Sequence, residues 1–166
     1  SAPATDVEIE AVQQQLVRLN ELDEGLVYLQ VTRGAADRDF DYPDNAAPSL
    51  VMFTQAKSLL VHPKAESGLK VITTPELRWA RRDIKTVGLL APCMAKNLAA
   101  QAGADDAWFV EQGMVTEGSS NNAYIVTRDN VIVTRQLGTE ILHGITRAAI
   151  LSFAEEAGFN VEERGF

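Results

Sequence analysis

The segment Ala123-Tyr-Ile-Val-Thr127, Arg128-Asp-Asn130, Val131-Ile-Val-Thr134 constrains the fold of this 166-residue chain more than any other. Two runs of β-branched and aromatic residues are separated by three polar residues with turn chemistry, which predicts neighbouring strands joined by a tight reversal. A tight reversal makes its two strands antiparallel, whereas successive parallel strands need a long crossover, usually a helix. Helical segments are present as well, so the expected class is α+β or mixed α/β, and not a regularly alternating doubly wound sheet.

The remaining segments fit that mixture. Residues 5–22 read as a helix: Thr5-Asp-Val-Glu8 fits a capping box, and Val7, Ile9, Val12, Leu16 and Leu19 recur near helical spacing. Leu26–Thr32 and Ser49–Gln55 read as antiparallel strands around a polar, turn-rich loop from Arg33 to Pro48. The pattern breaks between Ala56 and Gly68. Residues 1–56 are therefore expected to belong to a smaller N-terminal lobe, 57–67 to a linker, and 68–166 to a larger lobe. Within the latter, Leu69–Thr73, Glu76–Arg81 and Asp106–Glu111 are predicted strands. Gly88–Ala102 is a predicted helix closed by Gly103, with Pro92 tolerable only in its first turn. A further helix opens at Gly144-Ile-Thr-Arg147 and closes at Gly158, before a last strand over Phe159–Glu163.

Charge narrows the partners. Fifteen Lys and Arg against 23 Asp and Glu give a formal charge of −8, which disfavours nucleic acid and anionic membrane surfaces because both require a positive field. No apolar run approaches the roughly 20 residues of a membrane-spanning helix, and residues 1–6 lack the basic-then-apolar order of a signal peptide. The single Cys93 forms no internal disulfide, so cytoplasm is the expected compartment. His62, His143 and Cys93 show no metal-ligand spacing, and no metal is expected.

Chemistry concentrates in three short stretches. Lys85 stands between a strand-like segment and an apolar run that reads as a helix start. A lysine partly shielded at such a junction can attack carbonyls, although a surface lysine paired with Asp83 satisfies the same residues. Glu117 precedes Gly-Ser-Ser and can equally be a solvated turn residue. Gly144-Ile-Thr146 opens a helix, whose first N–H groups favour anions, while Thr146 can also serve as an ordinary N-cap.

Taken together, Asp83-Ile-Lys85, Thr116-Glu-Gly-Ser-Ser120 and Gly144-Ile-Thr-Arg147, with Tyr28-Leu-Gln-Val-Thr-Arg-Gly34, resemble the pyridoxal-phosphate enzymes of fold type IV over essentially the whole chain. That group includes D-amino acid aminotransferases, branched-chain aminotransferases, (R)-amine transaminases and aminodeoxychorismate lyase. The resemblance implies a two-lobed fold, present here in part, and pyridoxal 5′-phosphate as cofactor. Lys85 is then the lysine that forms the internal aldimine, a Schiff base, and later shuttles the substrate proton. Glu117 is the acid that keeps the pyridine nitrogen protonated, Ile145 and Thr146 bind the phosphate, and Leu142 packs on the ring. Ser119 and Ser120 are further cofactor contacts.

The loop Arg33–Pro43 resembles the segment that, in D-amino acid aminotransferases, reaches into a partner subunit's site, so a homodimer is expected. Arg38 stands at the position of an arginine that binds the substrate carboxylate, and Phe40 where a histidine would be. Tyr28 matches a tyrosine of the same pocket, although an aromatic in a strand is usually core. The implied activity is amino transfer from a D-amino acid such as D-alanine to a 2-oxo acid. The alternatives are a branched-chain aminotransferase, an aminodeoxychorismate lyase-like enzyme, or a non-catalytic fragment. Family members are longer at both ends, where further phosphate and substrate contacts lie, so the chain is expected to hold only part of the fold.

Overall fold

The computed structural model describes residues 2–166, and the chain divides into two compact units, Ser1–Glu66 and Ser67–Phe166.

In the first unit, α1 (Asp6–Leu19) begins as its sequence requires. Thr5 Oγ1 accepts from the Glu8 N–H at 3.3 Å, and Glu8 Oε2 accepts in return from the Thr5 N–H at 2.8 Å. The helix stops three residues earlier than expected, because Asn20 Nδ2 turns back to the Leu16 carbonyl at 3.0 Å and Glu21 takes a positive φ of 46°. None of its residues is buried, so the cap carries an unusual share of its stability. Thr5→Ala is expected to destabilise α1 by about 1 kcal/mol, visible as faster amide hydrogen exchange along Asp6–Leu19 and nowhere in the second unit.

Strands β1 (Gly25–Thr32) and β2 (Ser49–Ala56) pair antiparallel with Tyr28 opposite Phe53, and those two rings stack at 4.7 Å between centroids. Cross-strand aromatic pairs of this kind help hold a register. Gly25 is required at the end of the ladder, where a Cβ would collide with the Gln55 carbonyl oxygen.

The second unit contains two three-stranded sheets built to one plan. In the first, β4 (Asp106–Glu111) pairs antiparallel with β5 (Met114–Gly118) and parallel with β3 (Val71–Pro75). The crossover from β3 to β4 contains α2 (Leu90–Gln101). In the second sheet, β7 (Val131–Thr134) pairs antiparallel with β6 (Tyr124–Val126) and parallel with β8 (Asn160–Glu163), and α3 (Ile145–Glu156) lies in the crossover. The reversal at Arg128–Asn130 is as expected, with Asn130 at φ 59°. Gly103 and Gly158 likewise end their helices at φ 69° and 78°. The core joins Ala95 and Ala99 of α2 to Ala107 and Phe109 of β4, small residues on the helix letting it lie close to the sheet.

One expectation is corrected. Residues 76–81 form no strand. After the Glu76 N–H bonds the Val110 carbonyl at 3.0 Å, the next donor, the Arg78 N–H, goes to Glu76 Oε1 at 2.9 Å, and this side-chain turn replaces the ladder. Conversely, the stretch holding Glu117, for which a solvated turn was one alternative, is strand β5. Its reversal from β4 uses Gln112 and Gly113 at φ 51° and 79°, the two left-handed positions of a tight hairpin.

Candidate functional site

Strand β5 carries a carboxylate inward. Glu117 is 4% exposed, and a charge so buried must be paired and hydrogen-bonded. Its Oε1 accepts from Arg78 Nη1 at 2.5 Å, while Oε2 accepts from Asn122 Nδ2 at 3.0 Å and from the Leu142 N–H at 3.1 Å. Burial pushes the Glu117 carboxyl above the usual carboxylate range, and Arg78 and the Leu142 amide pull it partly back. The solvated-turn reading of Glu117 is therefore excluded.

Arg78 is itself anchored. Its Nε and Nη2 grip Glu76 Oε1 and Oε2 at 2.9 and 2.6 Å, and its guanidinium carbon lies 4.4 Å from the Phe109 ring centroid. Glu76 also accepts from Thr116 Oγ1 at 2.9 Å and faces Arg82 Nε at 3.6 Å. Arg82 in turn forks onto Glu111 at 2.9 and 3.1 Å. For Glu76, desolvation raises the carboxyl, but the hydrogen bonds and charge of Arg78 outweigh it and hold the group below its ordinary range.

Asn122 links this network to α3. Its Nδ2 donates to Glu117 and to the Leu142 carbonyl at 3.0 Å each. Its Oδ1 occupies the space that a Cβ on Gly144 would need, which is why the N-cap of α3 has no side chain. Gly144 caps the helix and Thr146 is its second residue, so Thr146 is not the N-cap that its sequence allowed. The Ile145 and Thr146 amides belong to the first turn, whose donors have no partner within the helix. Both residues are exposed.

The two serines after Glu117 differ. Ser119 is buried with both donors committed: its N–H bonds the Ala107 carbonyl at 2.9 Å, and its Oγ donates to Asp106 Oδ1 at 2.5 Å. Asp106 also takes Asn121 Nδ2 at 2.8 Å and Lys96 Nζ at 3.3 Å. Ser120 is exposed.

Lys85 is exposed, and among the described residues its ammonium has no hydrogen-bond or ion-pair partner. The expected shielding is absent because residues 76–89 are irregular. Nor does Lys85 pair with Asp83, which is gripped by Arg81 Nε and Nη2 at 2.9 and 2.8 Å.

A cleft of about 1650 Å³ in the second unit is lined by Lys85, Glu117, Ser119, Ser120, Leu142, Ile145 and Thr146 together, with Arg78, Lys96 and Asn122. Positions far apart in sequence thus converge on one volume. The three substrate candidates lie in the first unit. Arg38 sits 5.5 Å from the centroid of Phe40, which is 93% exposed. Tyr28 is exposed, stacked on Phe53, and donates its hydroxyl to Gln30 Oε1 at 2.6 Å.

Sequence reasoning missed Arg78, Glu76 and Asn122. The one available signal was the pair of opposite charges at Glu76 and Arg78 inside an otherwise strand-like run. Among the described residues, no group of three or more His, Cys, Asp or Glu could hold a metal ion. No described helix is long and apolar enough to cross a membrane.

Known proteins resemble this chain in sequence and in fold. D-alanine aminotransferase of Bacillus licheniformis is 39% identical over 162 residues, covering 96% of this chain and 56% of the relative. The enzyme of the same name from Staphylococcus aureus strain MSSA476 is 35% identical over 160 residues, again covering 96% and 56%. The chain therefore spans a little over half the length of these curated relatives. Among solved structures, a T.th. branched-chain amino acid aminotransferase with pyridoxamine 5′-phosphate superposes with a TM-score of 0.81 at 27% identity, covering 99% of this chain and 56% of that one. A fold IV transaminase from Curtobacterium pusillum gives 0.71 at 29% identity, covering 96% and 57%. The family model described as amino-transferase class IV matches residues 1–166, and the chain belongs to that family.

Proposed function

We propose that this chain is part of an enzyme that moves an amino group from a D-amino acid, such as D-alanine, to a 2-oxo acid with pyridoxal 5′-phosphate as cofactor. The observation that carries the proposal is the convergence of Lys85, Glu117 and the α3 N-terminus on one cleft. The residues present fit the cofactor. A free amine, a buried carboxylate with an acceptor site to spare and an unpartnered helix N-terminus match its aldehyde, its ring nitrogen and its phosphate.

When bound, the cofactor supplies an aldehyde for attachment and an electron-accepting ring. Lys85 Nζ would hold the cofactor at its aldehyde and would carry the proton to and from the substrate Cα. Glu117 Oε1 would accept from the protonated ring nitrogen. The Ile145 and Thr146 amides would orient the phosphate, helped by the Thr146 hydroxyl, and Leu142 would pack on the ring. Ser120 offers a free hydroxyl, whereas Ser119 acts by holding the loop on Asp106. Arg38 is assigned to the substrate carboxylate across a homodimer, with Phe40 and Tyr28 beside it. The first unit belongs to the smaller lobe and the second to the cofactor-binding lobe. Names and identities of the D-alanine aminotransferases favour the D-amino donor, and a single cysteine suits a cytoplasmic setting.

Phe40 favours a second reading. At a position that the substrate loop gives to histidine, it removes a donor and adds apolar surface, which suits a branched-chain substrate. A donor survey with added pyridoxal 5′-phosphate and 2-oxoglutarate separates the two. Pyruvate formation from D-alanine with no transfer from L-leucine is expected. Preference for L-leucine would move the assignment to the branched-chain enzymes, and turnover that needs no 2-oxo acid would move it to the lyase. Absence of cofactor uptake would make the chain a non-catalytic piece.

A further inference from the structure

The charges around Glu117 do not balance. Glu76, Glu111 and Glu117 stand against Arg78 and Arg82, three carboxylates to two guanidiniums in one connected network. The side chains of Glu76, Arg82 and Glu117 are exposed by only 1%, 4% and 5%, so the middle of the network is held away from water.

Hydrogen-bond capacity shows where the remaining negative charge is directed. A carboxylate has about four acceptor sites. Glu76 uses its own on the Arg78 N–H, Nε and Nη2 and on Thr116 Oγ1. Glu117 takes three donors, two of them on Oε2, leaving one site on Oε1 beside Arg78 Nη1. Glu117 lines the cleft, and a ligand there that brought one N–H and one positive charge would fill this site.

We propose that Arg78, held by Glu76, is a positioning residue that fixes Glu117 through Oε1 and keeps it anionic, so that the protonated ring nitrogen of a pyridine cofactor becomes its fourth donor. The proposal rests on the cofactor assignment above and goes beyond it, since it concerns a residue that need not touch the cofactor. Removing the Arg78 charge leaves Glu117 buried beside Glu76, where the stable form is the neutral acid. A neutral Glu117 would keep its proton and donate a hydrogen bond to an unprotonated ring nitrogen, so that the ring would lack its cationic, electron-withdrawing character. Other charged groups facing the cleft are Arg82, Asp83, Lys85, Lys96 and Arg147, with His143. None of them donates a hydrogen bond to Glu117, so none replaces Arg78.

The test uses the full chain loaded with pyridoxal 5′-phosphate whose ring nitrogen is isotopically labelled, read by nitrogen NMR at neutral pH. Wild type should show a protonated ring nitrogen. Arg78→Met should show a bare one, its proton affinity down at least about tenfold, one pKa unit. Arg78→Lys, which keeps the charge, should restore the protonated signal. Should Arg78→Met fail to fold, the double substitution Glu76→Gln with Arg78→Met removes one charge of each sign and takes its place. A protonated ring in the variant that lacks the Arg78 charge overturns the proposal and leaves the cofactor assignment standing. Failure of the wild-type chain to take up the cofactor overturns both.

Discussion

Lys85→Ala should abolish the covalent attachment of pyridoxal 5′-phosphate and lower amino transfer by about 10²–10⁴-fold, the range set by loss of a positioned proton carrier. The direct measurement is borohydride reduction followed by mass analysis. Wild-type chain should retain the cofactor after denaturation and the variant should not. Weaker, non-covalent uptake should survive, because Glu117 and the α3 N-terminus are untouched. One other lysine lines the cleft, and Lys96 is engaged with Asp106 at 3.3 Å. Lys96→Ala should therefore keep the covalent linkage. Reversal of the two results, with trapping lost in Lys96→Ala and kept in Lys85→Ala, would assign the attachment to the wrong lysine.

The second large effect is structural. Glu76→Ala leaves Arg78 and Arg82 with side chains 14% and 4% exposed and a shared partner removed. Breaking a buried ion pair from one side costs about 3–5 kcal/mol. Both tryptophans, Trp79 and Trp108, lie in the second unit, so denaturant unfolding followed by their fluorescence reports on that unit alone. Glu162→Gln removes half of the Arg164 pair, whose members are 52% and 50% exposed, and should shift the same transition by less than about 1 kcal/mol. Equal shifts for the two variants would refute the burial argument.

The pH dependence has a definite sign. Glu76 has its pKa depressed on folding, so its contribution is present above the unfolded carboxyl value and lost as pH falls through the lower folded one. Glu117 has its pKa raised, so folding is favoured while it holds its proton, and that contribution fades as pH climbs through the raised value. In Glu76→Ala the acid-side loss of stability should shrink.

Local chemistry made much of the fold legible. The Thr5–Glu8 box, the glycines after α2 and α3 and the Arg128–Asn130 reversal are set by neighbours in sequence, and they read correctly. Glu76–Arg81 misled because its alternation of charge and apolar residues has the period of a strand, while the Glu76 side chain takes the backbone donor that a ladder needs. At Glu117 the local sequence left the setting open. A charged residue beside Gly-Ser-Ser looks solvated until Arg78, 39 residues earlier, and the Leu142 amide, 25 residues later, are brought to it. The motif positions were visible as a family pattern, but the network that sustains their burial depends on tertiary contacts, to which no local spacing refers.

Asn122 acts as a ruler. The orientation of its amide is dictated by chemistry, since Nδ2 meets two acceptors and a flipped group would set oxygen against oxygen. With that orientation fixed, one small side chain spans the gap between the Glu117 carboxylate and Gly144, the N-cap of α3, touching both. A change in Asn122 would therefore disturb the Glu117 carboxylate and the α3 N-cap together.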